Sequence, residues 1–347
     1  MTERAMTERA MTVERFGRVG DTEVLQATLR TSAGAEARII TYGAILRDLV
    51  VPGPKGPQRV VLGLETLEHY VAHSPNFGAI VGRYGNRIAG ARFPLDGRTH
   101  ELVANEGANQ LHGGPKGFAK RNWTLAGATD ASATLILVSD DGDMGYPGRL
   151  VARCTYELLE PATLRIVLEA TCDAPTPVNL TTHSYYNLDG GPTILDHSLA
   201  VEADFFTPTR PDLIPTGEIR AVAGTPYDFR QARRIGSPEE NDGIQYDINL
   251  VLRHTAGELG RAVTLASDKS GLAMEVWTTE PGIQFYNGHL LPPPVPGLGG
   301  VRYQRFGGLC LEPQRFPDGP NQPHFPASIL RPGGLSRQVS EMRFRPH

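Results

Sequence analysis

The sequence is poor in cysteine. Cys154, Cys172 and Cys310 are widely spaced, odd in number and contain no Cys-x-x-Cys. That argues against a disulfide framework and a cysteine zinc site; three reduced, mostly buried small hydrophobes are the expected reading. Long apolar runs are also missing. Without about 18 consecutive apolar residues there is no transmembrane helix. The N-terminal segment is charged and lacks the apolar core of a signal peptide, so a cytoplasmic location is expected. Charge of one sign is nowhere concentrated: the net charge is −4 and no Lys or Arg run stands out, which argues against nucleic-acid and anionic-membrane partners. There is no Walker A loop, no Gly-x-Gly-x-x-Gly opening a helix, no His-x-His and no His-Glu-x-x-His, so neither nucleotide cofactor nor metal is expected. His112, His183, Asp247 and Glu312 could serve as metal ligands only in a set without short-range spacing.

Turns and short strands are what the chain has in abundance. Its 39 Gly and 28 Pro punctuate short β-rich or alternating runs, among them Val60–Leu64, Thr134–Val138, Leu150–Leu158, Leu164–Ala170, Ile248–Leu252, Leu272–Thr278 and Gln338–Arg345. Helical periodicity is scarce, with Leu67–Ala72 as one short candidate. Many short strands between turn signals predict an all-β sandwich or barrel. The Pro/Gly-rich stretch Leu291–Gly300 reads as a surface loop, leaving one domain over residues 12–347. Residues 1–11 carry a tandem Met-Thr-Glu-Arg-Ala copy, too short for a solenoid repeat; they read as a duplicated or artefactual extension outside the fold.

Polar clusters sit in Gly- or Pro-flanked, loop-like settings. They are Gly82–Ile88 (GRYGNRI), Asn105–Gly114 (NEGANQLHGG), Asn179–Leu188 (NLTTHSYYNL), the Tyr246-Asp247 pair and Leu311–Asp318 (LEPQRFPD). Together they supply His, Glu, Asp, Arg and amides, an inventory suited to a neutral polyol whose hydroxyls both donate and accept. They also supply a proton donor and a proton acceptor. Each has a plainer reading. His112 could be a turn hydrogen-bonder and His183 a satisfied core histidine. Arg83 and Arg87 could be surface residues, or Arg87 a buried structural partner. Glu312 ends an apolar run, where a carboxylate is costly to bury without purpose.

In order and wording the clusters resemble the aldose 1-epimerase (galactose mutarotase) family. The first three blocks look like its Gly-Arg-x-Ala-Asn-Arg-Ile, Asn-x-Leu-His-Gly-Gly and Thr-x-His-x-Tyr-Phe-Asn-Leu signatures, with Gly85 in place of Ala. Thr278–Gly288 (TTEPGIQFYNG) and Cys310–Pro323 (CLEPQRFPDGPNQP) resemble its last two, and Tyr42-Gly43-Ala44 also fits. The resemblance implies a large, single-domain β-sandwich of the galactose mutarotase type with an open site, no cofactor, and a small-molecule sugar as partner. It implies Glu312 as general base and His183 as general acid, with His112, Arg83, Asp247, Asn86 and Gln284 binding substrate. Where the family often has His-Asn after the Asp, this chain has Ile248-Asn249, and Asp242 competes with Asp247 for the role.

The function so implied is interconversion of the α and β anomers of free aldohexoses such as galactose and glucose by acid–base ring opening and reclosure. The alternatives are a hexose-6-phosphate 1-epimerase, which would want a cationic cluster drawn from Arg83, Arg87 and Arg315, and a non-catalytic carbohydrate-binding protein on the same fold. Trp277, Tyr185, Tyr186 and Phe285 are candidates to cover the sugar's C–H face. A monomer or weak dimer is expected.

Overall fold

The computed structural model describes residues 12–236 and 244–347. Three antiparallel sheets carry the architecture. A nine-stranded sheet runs in the order Thr124–Ala128, Ser132–Ser139, Leu150–Leu159, Thr163–Cys172, Ser336–Pro346, Leu272–Thr278, Gly260–Ser267, Ser198–Val201, Arg233–Arg234. A six-stranded sheet runs Tyr185–Tyr186, Leu309–Gln314, Gly282–Tyr286, Asp247–Leu252, Ala203–Phe206, Arg220–Ala221. The N-terminal five-stranded meander covers Thr12 to Arg59.

Alternation explains the layering. In Ser132–Ser139 and Thr163–Cys172 every second residue is buried, the mark of a strand with one face in the core. One continuous hydrophobic cluster joins the inward residues of the sheets: Leu135 and Cys154 of the nine-stranded sheet, Leu250, Phe285 and Leu311 of the six-stranded sheet, and Leu29 and Leu49 of the meander. The chain is therefore a single-domain β-sandwich. The strands Gly282–Tyr286 and Leu309–Gln314 are buried on both faces. One face meets the core; the other is roofed by loops.

The expected strands within Ser132–Ser139, Leu150–Leu159, Thr163–Cys172, Asp247–Leu252, Leu272–Thr278 and Ser336–Pro346 form, and the short helix spans Leu67–His73, capped by Thr66 Oγ1 accepting from His69 N. Val60–Leu64 does not become a strand. Its amides are dispersed: Val60 donates to Leu49 O, Leu62 to Tyr185 O, Gly63 to the Tyr303 hydroxyl and Leu64 to the Tyr70 hydroxyl, so no ladder forms. The stretch Leu291–Gly300 is a loop, but a pinned one, with Leu291 and Leu298 buried and Leu298 N donating to Gly63 O. The duplicated extension at residues 1–11 and the competing Asp242 lie outside the described residues.

Candidate active site

The outer face of the six-stranded sheet is where the period-two rule places chemistry. Leu309, Leu311, Ile283, Phe285, Ile248 and Leu250 point into the core. The alternate residues share the opposite face. Register puts Tyr185, Cys310, Tyr286 and Asp247 in one row across the sheet, and Glu312, Gln284 and Asn249 in the next. This polar face floors a cleft of about 230 Å³. Asn86, Arg87, Glu106 and His112 from the loops close one side, and His183, Pro75, Asn76 and Leu290 complete the walls.

The His112 loop approaches the Gly82–Arg83 backbone so closely that only glycine fits at 113. Its φ is +79°, and a Cβ there would lie 2.0 Å from Gly82 O. His112 Nδ1 accepts the Asn86 N–H at 3.1 Å, which leaves the proton of the neutral ring on Nε2. Its ring packs edge-on against His183, centroids 5.2 Å apart. His183 stacks on Tyr185, its Nδ1 is 3.4 Å from Cys310 Sγ, and its Nε2 is 3.9 Å from Glu312 Oε1. Glu312 is 2% exposed and its Oε2 has no hydrogen-bond partner among the described residues. Arg87 makes a bidentate pair with Glu106, at 2.5 and 2.7 Å, and its Nη1 lies 3.9 Å from Asp247 Oδ2. Gln284 Nε2 donates to Asp247 Oδ1 at 2.6 Å.

Burial dominates the electrostatics. It pushes the Glu312 carboxyl well above the usual range; Asp247's charge adds to this and Arg87 opposes it. It pulls His183 down to about 4, and His112 well below the usual imidazole value, where His183 and Arg87 act in the same direction. Burial also raises Asp247, against the pull of Arg87. Burial thus favours the protonated form of the Glu312 carboxyl and the neutral form of the His183 imidazole beside it. The donor atoms of His183, Cys310 and Glu312 lie within 4.8 Å of one another, close enough to be ligands. The Cys310 thiol is likewise raised well above its ordinary value, first by burial and then by Glu312.

The structure brings Glu312, His183, His112, Asp247, Asn86 and Gln284 together, and it corrects Arg83. That side chain is 1% exposed and does not reach the cleft. Its Nη1 donates to Pro147 O, Gly148 O and Thr176 Oγ1, and its Nη2 to Ser139 Oγ and to the Ser139 and Asp140 carbonyls. A guanidinium that satisfies that many acceptors is a structural pin; the cleft cation is Arg87. The aromatic candidates divide likewise. Tyr185 lines the cleft, as does Tyr286. Tyr186 and Phe285 are core residues on the other face of the sheet. Trp277 belongs to the nine-stranded sheet, its Nε1 donating to Glu275 and its ring covered by Arg343 at 4.1 Å. Glu106 and Tyr286 were not singled out in the sequence, although both lie inside quoted motifs.

A larger cavity of about 350 Å³ lies beside Asn187, Leu298 and Tyr303. Asn187 Nδ2 is spent on Gly191 O and Gly307 O, Tyr303 Oη on Gly63 O, and Arg59 on the Asp48 carboxylate. The smaller cleft is the one that gathers His112, His183, Asp247 and Glu312.

Fold and cleft define a class: an all-β sandwich with hydroxyl-binding groups and a buried carboxyl–imidazole pair on one sheet face. The family model described as Aldose 1-epimerase matches residues 26–343, and the chain belongs to this family. It is 42% identical over 302 residues to the galactose mutarotase of Bos taurus, covering 85% of this chain and 86% of that protein. It is 38% identical over 326 residues to the aldose 1-epimerase of Escherichia coli K12, covering 91% and 94%. Its fold is similar to the solved GalM/aldose epimerase homologue from C. elegans, with TM-score 0.87, 31% identity and coverage of 92% of this chain and 99% of that one.

Proposed function

We infer that the protein is an aldose 1-epimerase, an isomerase that interconverts the α and β anomers of free aldohexoses such as galactose and glucose. Family membership supports the reaction class. The observation that carries the site assignment is the His183 Nε2–Glu312 Oε1 approach of 3.9 Å on the floor of a hydroxyl-binding cleft.

Mutarotation needs only proton traffic. A base takes the proton from O1, an acid gives one to the ring oxygen, and the C1–O5 bond breaks. The aldehyde turns about C1–C2 and recloses from the other face with the roles reversed. In this reading Glu312 is the base and His183 the acid. A carboxylic acid beside a neutral imidazole holds the same number of protons as a carboxylate beside an imidazolium. Burial favours the first form in the free protein; the sugar's O1 and O5, placed between the two groups, hydrogen-bond to the second. His112 presents Nε2–H towards the ring oxygen. Asp247, Arg87, Gln284 and Asn86 hold hydroxyls, and Tyr185 and Tyr286 offer apolar surface to the C–H face.

Among the described residues lining the cleft, Arg87 is the one Lys or Arg, and Glu106 already pairs with it. Arg315, the third cation a phosphate site would recruit, sits 3.9 Å from Glu280 instead. This favours an uncharged sugar over its 6-phosphate. We further propose that the protein works as a cytoplasmic monomer or weak dimer without metal or nucleotide. Polarimetry on fresh α-galactose, α-glucose and α-glucose 6-phosphate tests the substrate. EDTA-treated, dialysed enzyme is expected to keep its full rate, and a loss restored by one particular metal would overturn the metal-free reading.

A further inference from the structure

We propose that Gln314, which does not line the cleft, fixes the donor–acceptor polarity of the cleft floor and so decides which hydroxyl contacts the cleft makes; this inference rests on the sugar-binding reading above. The argument starts at Asp247. As a carboxylate Asp247 only accepts hydrogen bonds, and Gln284 turns its NH2 towards it, Nε2 donating to Oδ1 at 2.6 Å. The Gln284 carbonyl oxygen then faces away from Asp247 and needs a donor. Gln314 supplies it: its Nε2 donates to Gln284 Oε1 at 3.1 Å and, with its second hydrogen, to Asn249 Oδ1 at 3.1 Å. Asn249 Nδ2 passes the direction on to Thr207 Oγ1 at 3.3 Å. Every amide in the row is thereby oriented from one end.

Two further features mark this as a built arrangement. Gln314 is fully buried, and its own Oε1 has no partner among the described protein atoms, a cost that a packing residue would not carry. The position opposite it in the register is Gly282, where a Cβ would lie 2.7 Å from Asn249 Oδ1, so any larger residue would push into the amide row. The consequence is chemical. Gln284 keeps a second N–H to give to a sugar oxygen, and Asp247 Oδ2, 3.9 Å from Arg87 Nη1, can still accept from a sugar hydroxyl. If Gln284 turned over, a carbonyl would face the carboxylate, and both the bond to Asp247 Oδ1 and the N–H offered to the sugar would be lost. Gln314 is a positioning residue acting through Gln284.

The test is a galactose-binding cycle by calorimetry on the whole protein, with Gln314→Met, Gln284→Met and the double variant. Each single variant is expected to raise Kd about tenfold, the value of one net hydrogen bond, and the double variant is expected to bind no worse than Gln284→Met alone. An unchanged Kd in Gln314→Met, or a multiplicative rise of about a hundredfold in the double variant, overturns the proposal. Gln314→Glu keeps the shape and serves if the Met variant does not fold. Its Kd relative to wild type is expected to rise with pH as the new carboxyl loses the proton it could donate, and a ratio flat with pH contradicts the assignment. Mutarotation measured on the same samples is read separately: a wild type that binds galactose without accelerating its mutarotation sinks the proposed function but leaves the binding cycle intact.

Discussion

Arg83 and Arg87 stand in one motif and carry the same charge into opposite circumstances. Arg83 ties the Ser139–Asp140 and Pro147–Gly148 backbones together from a buried position, whereas Arg87 reaches the cleft between Glu106 and Asp247. Arg83→Met strands several buried carbonyls at once. It is expected to cost at least about 3 kcal/mol in urea unfolding, because each lost charged hydrogen bond counts for about 1.5–3 kcal/mol. Arg87→Met is expected to leave unfolding nearly unchanged, with Glu106 half-exposed beside it, while raising KM for galactose about tenfold or more. The reverse pattern would restore Arg83 as the substrate-binding cation. The sequence could not separate the two. Residue type and spacing say that an arginine in this motif matters, but only the path of the loop decides which one turns inwards. Glu312 stood out by residue type, as a carboxylate ending an apolar run, whereas the expectation for His183 came from the family resemblance, because a His beside Thr182, Ser184 and two tyrosines reads equally as a core residue.

At the level of the element, the turn joining Leu272–Thr278 to Gly282–Tyr286 holds a buried carboxyl outside the cleft, Glu280. Glu280 is 6% exposed, its Oε2 has no hydrogen-bond partner among the described residues, and burial pushes it up to about 7 although Arg315 Nε lies 3.9 Å from that oxygen. The sign follows from linkage. A carboxyl whose folded value lies above its unfolded one, about 4.3, favours the fold while protonated, and that contribution is lost as pH rises through 7. Unfolding free energy at pH 8 relative to pH 5 is expected to be higher in Glu280→Gln than in wild type, by up to about 3 kcal/mol. A pH dependence identical in the two proteins would show that Glu280 is ionised and solvated. Strands were the readable elements wherever one face is buried, as in Thr163–Cys172, since alternation survives in the sequence. It fails for Val60–Leu64, where the apolar run is real but the amides find scattered partners, and for Trp277, whose β-rich run says nothing about which sheet it joins.

For the molecule as a whole, one continuous core links the sheets and begins within the strand Thr12–Val19, where Val13 packs against it. Deleting residues 1–11 is expected to leave the thermal midpoint and kcat/KM unchanged, and a fall in either would make the duplicated segment part of the working protein. The sandwich was legible as a class from Gly and Pro punctuation and short strands. The floor of the cleft was not legible from pattern: the resemblance names Asp247, Gln284 and Glu312, but their meeting depends on the cross-strand register that sets them on one face of neighbouring strands. The central claim is that Glu312 and His183 act as one proton-transfer pair. Its most direct test is polarimetric kcat for α-galactose with Glu312→Gln, whose amide keeps the shape but cannot take the O1 proton, alongside His183→Asn, His112→Asn and the Glu312→Gln/His183→Asn double variant. Each variant of the pair is expected to lose about 10²–10⁴-fold in kcat with galactose binding retained, and the double variant to lose less than the product. Near-normal kcat in Glu312→Gln would contradict the account outright, and a larger kcat loss in His112→Asn than in His183→Asn would move the acid to His112.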